Sequence, residues 1–151
     1  VLLLAAVEAH ATRSYLSHWK DTETLYRHMI ALAPKAAPLY NDLAADAARR
    51  GLREEAVSIY HQAIALEPDN GWYHSNLGAA LIQVDRDEEA ARCLEKALRL
   101  APSFADAHNN LGVALERLGR PDEARTEFEM AARLDPSRPE FRANVRRLSA
   151  P

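Results

Sequence analysis

Cysteine, glycine and aromatic residues are all in short supply in this chain, and each shortage removes a class of answer. One cysteine, Cys93, excludes an internal disulfide and a cysteine-based metal cluster. It falls on a helical segment beside Leu94, which predicts a buried or half-buried thiol. Five glycines in 151 residues leave no Gly-rich phosphate loop, and neither HExxH nor GxSxG occurs. Neither sign of charge dominates. Lys+Arg number 19 against 22 Asp+Glu, a net charge of −3, so no affinity for nucleic acid is implied. The apolar run Val1–Val7 is broken by Glu8 and His10. It falls short of the roughly twenty residues that cross a bilayer. It reads either as the stump of a membrane helix or as the core face of a first helix. Nothing in these gaps suggests an enzyme, a cofactor or a metal.

What remains is rich in Ala, Leu, Glu and Arg, with 48% hydrophobic residues, and that composition belongs to helices around one continuous core. The organising stretch is Ala105–Pro136. Thirty-four residues earlier its skeleton returns: Leu111-Gly112 as Leu77-Gly78, Leu115 as Leu81, Ala124 as Ala90, Ala131 as Ala97. A further step back gives Leu43-Ala44, Ala56, Tyr60 and Ala63. Pro34, Pro68, Pro102 and Pro136 keep the same interval. A fixed period of this size marks a stacked architecture in which no unit buries its apolar face alone.

Each column has a physical reason. Gly78 and Gly112 sit inside helical patterns, where glycine costs about 1 kcal/mol against alanine. Their recurrence predicts close approach of a neighbouring helix. Ala56, Ala90 and Ala124 predict tight crossings against the bulky Tyr60, Leu94 and Phe128. The prolines stop the second helix of each unit, lacking an N–H and disfavouring helix before them. Glu54-Glu55, Asp87-Glu88-Glu89 and Asp122-Glu123 open second helices, where acids favour the positive end of the helix dipole.

These residues resemble the tetratricopeptide repeat. The likeness is close over 37–136, partial before that, and absent from most of the first eighteen residues. It implies an all-α, right-handed solenoid of antiparallel helix pairs forming one domain over 1–151. Full repeats are expected at 35–68, 69–102 and 103–136, with a degenerate unit at 1–34 and a capping helix in 137–151. The helix pairs fall near 37–50 with 53–66, 71–84 with 87–100, and 105–118 with 121–134, joined by tight turns. In the degenerate unit a helix is expected over 2–17. A second follows, capped by Asp21 or Thr22, with Leu25, Tyr26, Met29, Ile30 and Leu32 on its apolar side. Ser17–His28 also resembles the segment joining the last membrane helix to the repeats in membrane-bound, O-mannosyltransferase-like repeat proteins. That resemblance implies a soluble tail attached to a membrane through sequence upstream of Val1.

The repeat family usually binds peptides in the concave groove lined by the first helices. In that column stand Asp42, Asn76, Asn110 and Asn144, each thirty-four residues from the next. A carboxamide both donates and accepts. A ladder of them can therefore grip the backbone of an extended peptide, as similar ladders do in long superhelices of this family. The alternative is that each Asn bonds the backbone of an adjacent helix. Asn41, Gln83, Asn109 and Arg117 are expected in or beside the groove. Trp72 is either an aromatic hot spot or a packing residue near Pro68. Asn76 matches one member of the clamp by which some relatives hold terminal carboxylates. Ala45 and Asp106 stand where that clamp needs Asn and Lys, which argues against it. His74 and His108 recur with Tyr40 in a column the family fills with Trp or Tyr, which favours packing over a metal. The C-terminal segment carries Arg138, Arg142, Arg146 and Arg147, either as a solubilising cap or as a surface for an acidic partner or anionic lipid.

The expected function is a non-enzymatic scaffold that binds a protein or peptide segment. Two alternatives stand beside it: the accessory tail of a membrane-bound glycosyltransferase-like protein, and a self-assembling homo-oligomer. The partner and the cellular compartment are not written in the residues.

Overall fold

The computed structural model describes residues 22–148. Eight helices follow one another among them: α1 Thr22–Leu32, α2 Ala37–Arg49, α3 Arg53–Leu66, α4 Gly71–Ile82, α5 Asp87–Leu100, α6 Ala105–Arg117, α7 Pro121–Leu134 and α8 Pro139–Leu148. No described helix is long and apolar enough to cross a membrane. The expected helix over 2–17, the Asp21 cap and the Trp19 end of the membrane-tail-like segment lie outside the described residues.

Three antiparallel hairpins, α2–α3, α4–α5 and α6–α7, stack side by side into an all-α solenoid. The turns inside them share one device. Gly51, Asp85 and Gly119 lie thirty-four residues apart, and all have positive φ, at 80°, 58° and 74°. Glycine enters this region without penalty, whereas Asp85 is the tolerated exception. The first helices consequently end one or two residues before 50, 84 and 118. At the other end of each hairpin the proline acts through the residue before it. Glu67, Ala101 and Asp135 leave the helical region, with φ from −133° to −140° and ψ near 80°.

The glycine columns do what their spacing predicts. A Cβ on Gly78 would lie 2.5 Å from Leu94 Cγ, and one on Gly112 would lie 2.6 Å from Phe128 Cε1. Ala56, Ala90 and Ala124 are wholly buried, and Phe128, Leu94, Leu77 and Leu81 fill the centre of the stack.

α1 lies against α2 and occupies the second-helix place of the first unit. Tyr26 and Ile30 pack on the core, but Leu32 is 74% exposed and so leaves the expected apolar face. It is the last residue of the helix. Ion pairs add to this packing. Glu23 accepts from Arg27 (2.6 Å) and Arg50 (2.5 Å), while Arg27 reaches Glu55 (2.7 Å). Those arginines, Arg50 above all, hold the Glu23 carboxyl below the usual carboxylate range. At the far end α8 begins thirty-four residues after α6, so it stacks as one more first helix. Phe141 anchors it at 1% exposure, with the Arg138 guanidinium 4.8 Å from its ring centroid.

Candidate functional site

The column Asp42, Asn76, Asn110 and Asn144 lies on α2, α4, α6 and α8, and its side chains meet the flanking Asn41 and Asn109 rather than helix backbone. Asn76 Nδ2 donates to Asn41 Oδ1 at 2.8 Å, and Asn41 Nδ2 donates to Asp42 Oδ1 at 3.2 Å. Two full periods later the arrangement recurs. Asn144 Nδ2 donates to Asn109 Oδ1 at 2.8 Å, and Asn109 Nδ2 reaches Asn110 Oδ1 at 3.5 Å. The residues therefore gather as two relays, Asn76–Asn41–Asp42 and Asn144–Asn109–Asn110. Between them the relay is broken. Ser75 occupies the position of Asn41 and Asn109, is buried at 2% exposure, and is too short to link α4 to Asn110.

Donor and acceptor counts differ along the column. Asn76 and Asn144 each spend one amide hydrogen on a neighbour, which leaves their carbonyl oxygens open. Asn110 keeps both of its amide hydrogens, since its only side-chain bond is the long one it accepts. The relays also fix the rotamers. Each amide held by its neighbour loses less freedom when it meets a ligand.

Below Asp42 the wall is phenolic. Burial pushes the Tyr60 hydroxyl above its ordinary range, and the Asp42 carboxylate adds to this. Tyr73 is raised for the same first reason, with Glu67 and then Asp42 contributing. Both phenols therefore stay protonated over the neutral range. Burial likewise pushes the half-buried Cys93 thiol upward, away from nucleophilic chemistry.

Trp72 is 62% exposed and leans on Phe104, with ring centroids 4.3 Å apart and planes at 47°. Its support thus comes from the start of the following unit, not from the Pro68 region. Gln83 and Arg117 stand at the turn end of the first helices. Gln83 is exposed, and its backbone carbonyl lies 3.4 Å from Arg53 Nη1. Arg117 Nη1 donates to Ile82 O (2.9 Å) and Asp85 Oδ1 (3.0 Å), tying α6 to the C-terminus of α4.

A further column was legible in spacing but not in role. Tyr40 OH donates to Pro34 O at 3.0 Å, and His74 and His108 place Nε2 at 2.8 and 3.0 Å from Pro68 O and Pro102 O. Each unit thus closes on the carbonyl six residues back, which explains a Tyr or His there. His108 Nδ1 also meets Glu127 at 2.6 Å. Phe104 was missed as the partner of Trp72, although a lone aromatic just before Ala105 was its signal.

A family model described as a tetratricopeptide repeat matches residues 85–139, and a second of the same description matches residues 71–96. Comparison with curated proteins gave no match. Among solved structures, the crystal structure of MamA superposes with a TM-score of 0.79 at 18% identity, covering 91% of this chain and 80% of that one. The Arabidopsis OM64 TPR domain gives 0.74 at 26% identity, over 76% of this chain and 94% of that one. The first TPR of Spaghetti (RPAP3), bound to the HSP90 peptide SRMEEVD, gives 0.73 at 22% identity, over 75% and 90%.

Proposed function

We propose that this chain, which matches tetratricopeptide-repeat models over residues 71–139, is a protein-interaction scaffold that binds an extended peptide segment along the face formed by α2, α4, α6 and α8. The observation that carries this reading is the recurrence, two periods apart, of two amide relays with unspent donors and acceptors. Asn110, with two free amide hydrogens, and the open carbonyls of Asn76 and Asn144 would pair with peptide backbone. Asn41, Asn109 and Asp42 hold those amides in place. Trp72, propped by Phe104, offers an exposed aromatic ledge at the start of α4. Gln83 and Arg117 act at the rim, where they secure the turns. A solved relative, the first TPR of Spaghetti, binds a peptide ending in acidic residues and valine. Here Asp106 takes the clamp's Lys position and lies 3.4 Å from Arg138, so terminal-carboxylate recognition is disfavoured.

The test is a pull-down by this protein read by mass spectrometry, with Asn76/Asn110/Asn144→Ala beside the wild type. A segment captured by wild type alone is expected. Its affinity for Asn110→Ala should fall about five- to tenfold, the loss of one or two hydrogen bonds. Equal affinity for the triple variant, with helicity unchanged by circular dichroism, would exclude the amide face as the site.

A further inference from the structure

Three guanidinium groups at the C-terminal end of the stack, on Arg133, Arg142 and Arg146, form no hydrogen bond or ion pair with any described residue. They line one cleft of about 510 Å³ between α7 and α8, together with Glu129, Ala132 and Val145. Glu129 lines the same cleft and also lies 4.0 Å from Arg125 on its own helix, so three arginines face one carboxylate and the cleft keeps a net positive charge. The cleft is therefore positive at its walls and apolar at its floor.

Its position in the repeat register says what shape fits. Thirty-four residues before Arg142, Val145 and Arg146 stand His108, Leu111 and Gly112. Those three form the face of α6 on which α7 lies. Phe128 covers Gly112, and Glu127 bonds His108. α8 thus presents the face that receives a second helix in each full unit, and no described helix covers it. Two changes alter what can lie there. An arginine replaces the glycine, so a helix bearing an aromatic opposite it would collide; even a methyl group on Gly112 would meet Phe128 at 2.6 Å. A second arginine replaces the histidine that meets Glu127. Both changes exclude a repeat-type helix and favour carboxylates at the same two places.

We propose that the α7–α8 cleft docks an acidic amphipathic helix of a partner protein, of the pattern Ala-x-x-acid-acid-x-x-Ala. The adjacent acids take the places that Glu127 and Phe128 hold in α7, and the small residues take those of Ala124 and Ala131. The partner helix lays its alanine seam over Ala132 and Val145 while its carboxylates pair with Arg142 and Arg146. Arg133 closes the other wall. A helix enters such a slot between two helices, whereas a lipid surface does not.

The experiment uses a fluorescent, helix-stapled peptide of this pattern, titrated with the whole chain and read by anisotropy. Saturable binding is expected, weakening as salt rises. Arg142→Gln/Arg146→Gln should reduce affinity about tenfold or more, because two desolvated ion pairs are lost. A peptide with Gln-Gln in place of the acids should lose affinity similarly, and Asn110→Ala should bind the acidic peptide as wild type does. Circular dichroism establishes that the variants are folded. No binding by wild type, or equal binding by the Gln variant, overturns the proposal. So does arginine-dependent binding to phosphatidylserine vesicles that the peptide fails to displace, which would assign the arginines to a membrane.

Discussion

Gly112 and Gly119 are seven residues apart and are needed for unrelated reasons, which makes them a useful pair at the scale of single residues. Gly112 has an ordinary helical backbone but no room, since an added Cβ falls 2.6 Å from the buried Phe128 ring. Gly119 has unlimited room, with nothing within 4 Å of an added Cβ, but its φ is +74°. Alanine at 119 should cost about 1 kcal/mol, the penalty of left-handed backbone for a residue with a side chain. Alanine at 112 should cost about 1–3 kcal/mol by overpacking, offset by roughly 1 kcal/mol of better helix propensity. The two separate on a second substitution. Gly112→Ala should cost little when added to Phe128→Ala, because the ring atoms that the new Cβ meets are then gone, whereas Gly119→Ala should cost the same in either background. Chemical unfolding of the two double variants distinguishes crowding from backbone strain; rescue of both would mean that φ is not what limits position 119.

At the scale of elements, what was legible in the sequence was whatever repeats. Four prolines thirty-four residues apart, a glycine column and an alanine column place three hairpins, because each recurs with a local consequence: a stop, a close approach or a crossing. Side-chain partners across units were not legible, because they depend on which neighbour the stack brings near. Asn41 and Asn109 looked like flanking residues yet join first helices. Ser75 breaks their series without disturbing the period. Arg117 looked like a groove residue, but its length carries it to the carbonyl of Ile82 and to Asp85. It also lies 3.6 Å from Asp87, whose buried Oδ1 has no hydrogen-bond partner. Arg117→Met should therefore destabilise the junction between α4 and α6 by about 1–2 kcal/mol, mainly through the lost charge-assisted bond and the stranded carboxylate. The Asp85 contact adds little, since that side chain is 88% exposed. If the carboxylate is the larger part, Asp87→Ala should remove most of the penalty in a double-mutant cycle. Full additivity of the two substitutions would leave Asp87 out of the account.

For the whole molecule, contact runs along the stack and not across it. Each hairpin packs chiefly on the units beside it. Stability in such a chain is a sum over units and their interfaces, so damage should stay near where it is done. The C-terminal end depends on α8, a ten-residue helix with one fully buried side chain, Phe141. It is also tied by the partly buried Val145 and Leu148, which pack on the core, by the Asn144–Asn109 bond, by the ion pair of Arg147 with Glu116 and, just before it, by that of Arg138 with Asp106. The last two ties involve partly exposed partners and contribute modestly. Phe141→Ala should therefore cost about 3–5 kcal/mol at that end, as loss of a buried phenylalanine does elsewhere. α8 should detach first. Detachment releases Asn144 from Asn109, so the second amide relay loosens while the first, built on α2 and α4, stays intact. Amide hydrogen exchange should then show protection lost in α8, lowered in α6 and α7, and unchanged in α2 and α3. Peptide affinity should fall with it, because Asn110 depends on Asn109 for its orientation. A uniform fall in protection from α2 to α8 would instead make the stack one cooperative unit, and the two relays would rise and fall together.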